Sequence, residues 1–193
     1  MDFFNENLRC LLWEKDDERS RFVAPSQRID VWLRRLNTWI GDEARAKALL
    51  LGESPQADEL SCLAQVSGRD EETLRNGRLA ADRNILTQNL CFLFGTVEHG
   101  QMSAVAERLG VNQSTIQRWR SGTKPGVDKR SAILAEFGLP ATCDLDDEAL
   151  FLSLAPIGLR QKQDWLKRRI DELDTHELNE LFPALRRIFG DKK

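Results

Sequence analysis

The chain has 193 residues, 41% hydrophobic and 31% charged, the balance of a folded globular protein long enough to bury a core as one domain or two small ones. No run approaches 18 apolar residues, and the start MDFFNENLRC lacks the basic stretch and apolar centre of a signal peptide. No membrane partner is therefore expected, and the cytoplasm is the expected location. Cys10, Cys62, Cys91 and Cys143 are widely spaced with no C-x-x-C pair, which predicts packed free thiols in place of disulfides or metal ligands.

The net charge of -3 speaks against a nucleic-acid partner only as an average. Residues 1–83 and 143–193 are net negative, whereas residues 84–142 hold six Lys+Arg against four Asp+Glu. Within that stretch Arg108, Arg118, Arg120, Lys124, Lys129 and Arg130 face the single Asp128 across residues 108–130, an electrostatic footprint for phosphate.

Along the chain, apolar residues recur at three and four, as in Val31, Leu33, Leu36, Trp39 and Ile40, and no segment alternates as a strand would, so the fold is predicted to be all-α. Breaks fall at Gly41, Gly52 with Pro55, Gly68, Gly77, Gly110, Gly122 with Pro125, Gly138 with Pro140, and Pro156. They contain a repeat. Gly52, Pro55 and Gly68 stand 70 residues before Gly122, Pro125 and Gly138, and Ala46, Leu49 and Leu63 precede Ile116, Trp119 and Ile133 by the same offset. One helix earlier the offset is 69, pairing Leu36, Ile40 and Gly41 with Val105, Leu109 and Gly110. The chain divides accordingly into a first helical unit over 1–83, a second copy over 84–142 and a helical tail over 143–193.

In the second copy, AVAERLGVNQSTIQRWRSGTKP predicts a short helix ending at Gly110, a three- to four-residue turn and a second helix from about Gln113, which is helix-turn-helix spacing. Ala106 is small where two helices would cross, and Val105, Leu109, Ile116 and Trp119 supply the apolar contact between them. The opposite face of the second helix then carries Gln113, Ser114, Gln117 and Arg118. Arg bonds guanine with two donors, Gln bonds adenine and Ser bonds either, so this face suits base edges in a major groove. Gly122 permits a left-handed helix end, and Lys124 beyond it is placed to meet a phosphate.

On the turn Leu109-Gly110-Val111, on Ser114-Thr115-Ile116 followed by Arg118-Trp119, and on Gly122 with Pro125 before a helix from Lys129 to Phe137, residues 85–140 resemble the Cro/cI-type, or XRE-like, helix-turn-helix family. The resemblance implies a lambda-repressor-like five-helix unit with Gln113, Ser114, Gln117 and Arg118 at base-reading positions. It places Gln101, Asn112, Arg120, Ser121 and Lys124 near phosphates. Many members carry Gln at the second position of the preceding helix; here that place is Met102, and Gln101 is the substitute. The first copy resembles the family less closely, over about residues 5–80. Its reading helix GDEARAKALLLGE puts Asp42 and Glu43 at the end nearest DNA and Leu50 and Leu51 at its exit, leaving Arg45 and Lys47 for the backbone. Carboxylates repel phosphates, so this copy is expected to pack or pair in preference to binding DNA.

From Pro156 onward, Leu159, Trp165, Leu166, Ile170 and Leu173 outline one amphipathic helix. Leu178, Leu181, Phe182, Leu185, Ile188 and Phe189 outline another, capped by Asp174 with Glu177 and kinked or restarted at Pro183. These helices either cover the two units or pair two copies; a homodimer is the usual way such readers double their contacts, with half-sites one helical turn apart.

Two histidines, His99 and His176, no tyrosine and no phosphate-binding glycine motif leave little for catalysis. The acidic group Asp144, Asp146, Asp147 and Glu148 lacks the spacing of a calcium loop and predicts a helix start. No enzyme activity, cofactor or metal is expected. The expected function is that of a sequence-specific regulator of transcription that binds double-stranded DNA, a repressor on the family resemblance, acting by promoter occlusion. The alternative is a protein-interaction module, antitoxin-like or an adaptor, that binds another protein through its first unit or tail, with DNA binding secondary.

Overall fold

Each predicted break lies at a helix end. The computed structural model describes residues 2–16 and 25–190. The first unit comprises α1 (Phe4–Glu14), α2 (Pro25–Ile40), α3 (Glu43–Leu50), α4 (Ala57–Ser67), α5 (Glu71–Asn76) and a 3-10 turn at Leu79–Asp82. The second comprises α6 (Ile85–Gly95), α7 (Met102–Arg108), α8 (Gln113–Arg120), α9 (Val127–Glu136) and a 3-10 turn at Leu150–Leu152. The tail is α10 (Gly158–Asp171) and α11 (Thr175–Phe189). The fold is all-α; among the described residues there is no strand.

Polar caps set the starts of these helices. Asp42 accepts the Arg45 N–H at 3.0 Å, Asn84 the Thr87 N–H at 3.1 Å, and Asp174 with Glu177 forms the capping box of α11. Gly77 has no left-handed backbone; it is small because a Cβ there would lie 2.8 Å from the Thr73 carbonyl oxygen.

The repeat extends to side-chain hydrogen bonds. Asn7 on α1 and Asn89 on α6 are both wholly buried. The Asn7 amide donates to the Leu74 carbonyl at 2.9 Å and accepts from the Leu79 N–H at 2.9 Å. The Asn89 amide donates to the carbonyls of Leu145 and Glu148 at 2.9 and 2.7 Å and accepts from the Phe151 N–H at 3.1 Å. Each therefore ties the first helix of its unit to the turn that closes that unit. Two positions on, Arg9 donates to the Leu50 carbonyl and Cys91 to the Arg120 carbonyl, each at 3.2 Å, at the ends of α3 and α8.

One apolar cluster runs through both units. Trp13 stacks edge-on against Phe151, with ring centroids 5.0 Å apart. The Arg28 guanidinium, buried between the rings of Trp32 and Phe92 at 5.1 and 4.9 Å, donates to the Phe151 carbonyl at 2.6 Å. Burial lowers its pKa to about 10 against the pull of Asp16, so it stays charged at neutral pH. Asp16 in turn accepts from Trp32 Nε1 and Arg35 Nη1 at 2.8 and 2.6 Å. The four cysteines are free; burial pushes the thiols of Cys10 and Cys143 up to about 11, which keeps them protonated.

Three local expectations need correction. Residues 144–148 start no helix but form a turn in which Asp146 pairs with Arg130 and Asp147 with Arg78, because basic side chains from both units are within reach. The 3-10 turn after them is bonded to α6, the Phe151 N–H donating to Asn89 Oδ1. Pro183 restarts no helix: α11 runs through it from Thr175 to Phe189, with Pro183 on an exposed face where water can satisfy the carbonyl its missing N–H leaves unpaired. α9 also begins at Val127, two residues ahead of Lys129. The side chains of Leu159 and Phe189, expected in the apolar stripes of the tail, lie outside the described residues.

Replacing Asn89 by Leu strands two buried carbonyls and a buried N–H, which should cost about 2–4 kcal/mol and lower Tm by on the order of 10 °C. Asn7→Leu should do the same in the first unit. Melting curves for both variants within a degree or two of the parent would show that these amides do not close the units.

Candidate nucleic-acid interface

The connection between α7 and α8 is built around Gly110, whose φ of +60° turns the chain after α7 while the Val111 N–H returns to the Ala106 carbonyl at 2.9 Å. Lys129 closes the same end from outside, donating to the Leu109 and Gly110 carbonyls at 2.7 and 3.3 Å. Asn112 then caps α8. Its Oδ1 accepts from the Thr115 N–H at 2.9 Å, from Thr115 Oγ1 at 2.8 Å and from Ser114 Oγ at 2.7 Å.

One face of α8 is fixed to the body. Ile116 is fully buried and Trp119 is 5% exposed, its ring 6.3 Å from that of Phe94, which meets Phe137 edge-on. Val105, Ala106 and Leu109 of the α7 segment are buried on the same side. The opposite face is open: Gln113, Ser114, Gln117 and Arg118 are all exposed and lie side by side over two turns. Gln113 Nε2 bonds to Ser103 Oγ, which links the start of α8 to α7. Arg118 Nη2 rests on Thr115 Oγ1 at 3.1 Å, and among the described residues it meets no carboxylate. The row thus offers amide, hydroxyl and guanidinium groups toward solvent from a helix whose other face is buried.

The expected phosphate positions are less uniform. Asn112, Ser121 and Lys124 flank the row and are exposed, with Ser121 Oγ donating to the Gln117 carbonyl at 3.0 Å. Gln101 is exposed at the start of α7, while Met102 packs against the core and cannot take its place. Arg120 is half-buried and its Nε is buried without a hydrogen-bond partner, so only its outer nitrogens are available.

The six-cation footprint is smaller in three dimensions than in sequence. Arg108 is held by Glu136 through Nε at 3.0 Å and Nη2 at 2.5 Å, and Arg130 pairs with Asp146, which also lies 3.9 Å from Lys124 Nζ. Lys129 is committed to carbonyls. The two carboxylates come from outside residues 108–130, so a charge count along the chain misses them.

The first copy places different chemistry on its equivalent helix. At the 70-residue offset, Gln113, Ser114, Gln117 and Arg118 correspond to Glu43, Ala44, Lys47 and Ala48. Arg45, expected to remain free for a backbone contact, is bound to Glu59 through Nε at 2.7 Å and Nη2 at 2.9 Å and to Glu53 at 2.9 Å. Leu50 is buried and only Leu51 is exposed at the exit. Leu51 and Lys47 line a groove together with Trp165, Arg168 and Arg169 of α10, so the tail partly covers this helix.

The Arg45 hydrogen bonds, with the Gln56 N–H, hold the Glu59 carboxyl below the usual carboxylate range against the effect of burial. A depressed value means that Glu59 contributes stability above the unfolded value of about 4.3 and loses it as pH falls through the folded value. Glu59→Gln should therefore be less stable than the parent at pH 7, with the gap closing below about pH 4. A gap equally wide at pH 3 and pH 7 in denaturant titrations would remove the ion pair from the account.

No family profile matches the chain, and no curated protein or solved structure matches it.

Proposed function

We propose that the protein is a sequence-specific DNA-binding regulator of transcription that inserts α8 of its second unit into the major groove. The observation that carries this reading is the exposed row Gln113, Ser114, Gln117 and Arg118 on a helix whose other face is fixed by Ile116 and Trp119. A reading helix needs side chains that bond base edges and a backbone that does not yield, and the Asn112 cap and the Gly110 turn supply the second condition. Asn112, Ser121 and Lys124, with Gln101 and the outer nitrogens of Arg120, would contact phosphates at the edges of the groove. The first unit, with Glu43 and Ala48 on its equivalent helix and Arg45 held by carboxylates, serves as a packing or pairing module.

Repression by promoter occlusion, by a homodimer on a paired site in the cytoplasm, is the mode that accords with the resemblance of residues 85–140 to XRE-like regulators. No catalytic chemistry enters this reading. The second reading, a protein-interaction module with secondary DNA binding, is favoured by one observation: Trp165, Phe182 and Ile188 of the tail are 49%, 58% and 73% exposed.

Selection of sites from a random duplex pool separates the two. On the DNA reading the pool converges on one sequence, and Arg118→Ala loses about 1–3 kcal/mol for it while relaxing preference at one base position. Lys124→Ala should weaken all sequences alike and reduce the salt slope by roughly 0.9. Replacing Arg45 and Lys47 by Ala should leave footprint and slope unchanged. A pool that stays random, or a footprint shortened by the Arg45/Lys47 change, would count against α8 as the sole reader.

A further inference from the structure

Arg118 carries the only formal charge in the row Gln113, Ser114, Gln117 and Arg118, on its longest side chain. A guanidinium that samples many rotamers in water has to be ordered when it meets a base, at a cost that a prior contact removes. Such a contact is present. Arg118 Nη2 donates to Thr115 Oγ1 at 3.1 Å, one turn back on the same helix, and Thr115 Oγ1 donates in turn to Asn112 Oδ1 at 2.8 Å. A hydroxyl has one proton, so with that proton on Asn112 the Thr115 oxygen can only accept toward Arg118, and a guanidinium, which only donates, is the matching group. The relay therefore runs in one direction, from Arg118 through Thr115 to the oxygen that also caps α8 by accepting the Thr115 N–H. Thr115 is half-buried next to Ile116, whereas Arg118 is exposed, so the inner end of the relay is fixed and the outer end faces solvent.

Capping alone does not require this arrangement. Asp42 and Asp70 cap α3 and α5 through the N–H three residues on, and Thr73 even places its hydroxyl on Asp70. Three residues beyond Thr73, however, stands Asn76, which bonds Glu72, and in the first copy the places of Thr115 and Arg118 are taken by Arg45 and Ala48. Of these three caps only that of α8 joins a hydroxyl acceptor to an arginine. The bond also draws the guanidinium toward the N-terminal half of α8, the half that a helix-turn-helix reader sets against base edges. It uses one of five guanidinium donors and leaves four for guanine N7 and O6.

We infer that Thr115 is a positioning residue for base reading: its hydroxyl, oriented by Asn112, holds the Arg118 guanidinium in the pose in which it reads a guanine. The inference rests on the DNA reading of α8 and assigns part of its specificity to a half-buried side chain beside the exposed row.

The test uses the purified full chain. In the free protein, NMR relaxation at Arg118 Nε should show side-chain motion that increases in Thr115→Val, which keeps the shape and the backbone cap, and returns to the parent level in Thr115→Ser. On the duplex that the parent selects, Thr115→Val should weaken binding roughly two- to ten-fold and relax the guanine preference at the position that Arg118→Ala also relaxes, with the salt slope unchanged. Thr115→Ser should match the parent, and in an Arg118→Ala background Thr115→Val should have no further effect. Arg118 motion indifferent to Thr115→Val, an unaltered guanine preference, or an equal loss in the Arg118→Ala background would each overturn the positioning role. Arg118 held by Thr115 in a chain whose selected pool stays random would overturn the DNA reading and leave the hydrogen-bonded hold intact.

Discussion

A primary amide sealed from water has to place its donors and its acceptor on protein groups, and Asn7 and Asn89 are both in that position. In the second unit the consequences run outward from Asn89. Its bonds to Leu145, Glu148 and Phe151 fix α6 against the closing turn. α6 in turn carries Phe94 against Trp119 and Cys91 against the Arg120 carbonyl, so the buried side and the C-terminal end of α8 are set by the same helix. What α8 turns toward solvent follows from what it must bury. Gln113, Ser114, Gln117 and Arg118 are outside because Ile116 and Trp119 are inside.

Phe151 joins the two units at a single residue. Its N–H goes to Asn89 in the second unit, while its carbonyl receives Arg28 and its ring meets Trp13, both from the first. A buried guanidinium between two aromatic rings is costly to uncover, so the first unit is tied to the second through the element that closes the second. A copy held in this way is under no requirement to read DNA itself. Its equivalent helix accordingly uses its arginine for an internal bridge to Glu59 and Glu53 and leaves part of its surface to α10.

Helix ends and the apolar face of α8 were legible in the sequence because each depends on residues a few positions apart. The Asn7/Asn89 equivalence was not, since α2 has 16 residues where α7 has 7, and the offset therefore changes ahead of α3 and α8. Allowing it to change would have aligned Phe4, Asn7, Leu8 and Leu11 with Leu86, Asn89, Leu90 and Leu93. The cationic footprint was overcounted for a related reason: Glu136 and Asp146 are remote from residues 108–130 in sequence and adjacent to them in space. The exposed polar row of α8 needed only helical periodicity, whereas the free charge around it needed the tertiary fold.

That reduced charge bears on how such a surface would bind. With Arg108, Lys129 and Arg130 committed internally, a copy that bound DNA in the proposed way would have about two or three cations for phosphate, and counterion release would contribute a log-log salt slope of roughly -2 to -3 per copy. A slope that shallow gives weak attraction to random duplex. Base contacts worth about 1–3 kcal/mol each would then carry a larger share of affinity than in a strongly basic reader, which favours specificity over residence on random sequence. A single α8 offers few such contacts. Two copies on one paired site, as in the proposed function, would make the second contact intramolecular and raise avidity without adding charge, so the acidic balance of the chain would be compatible with a dimeric reader.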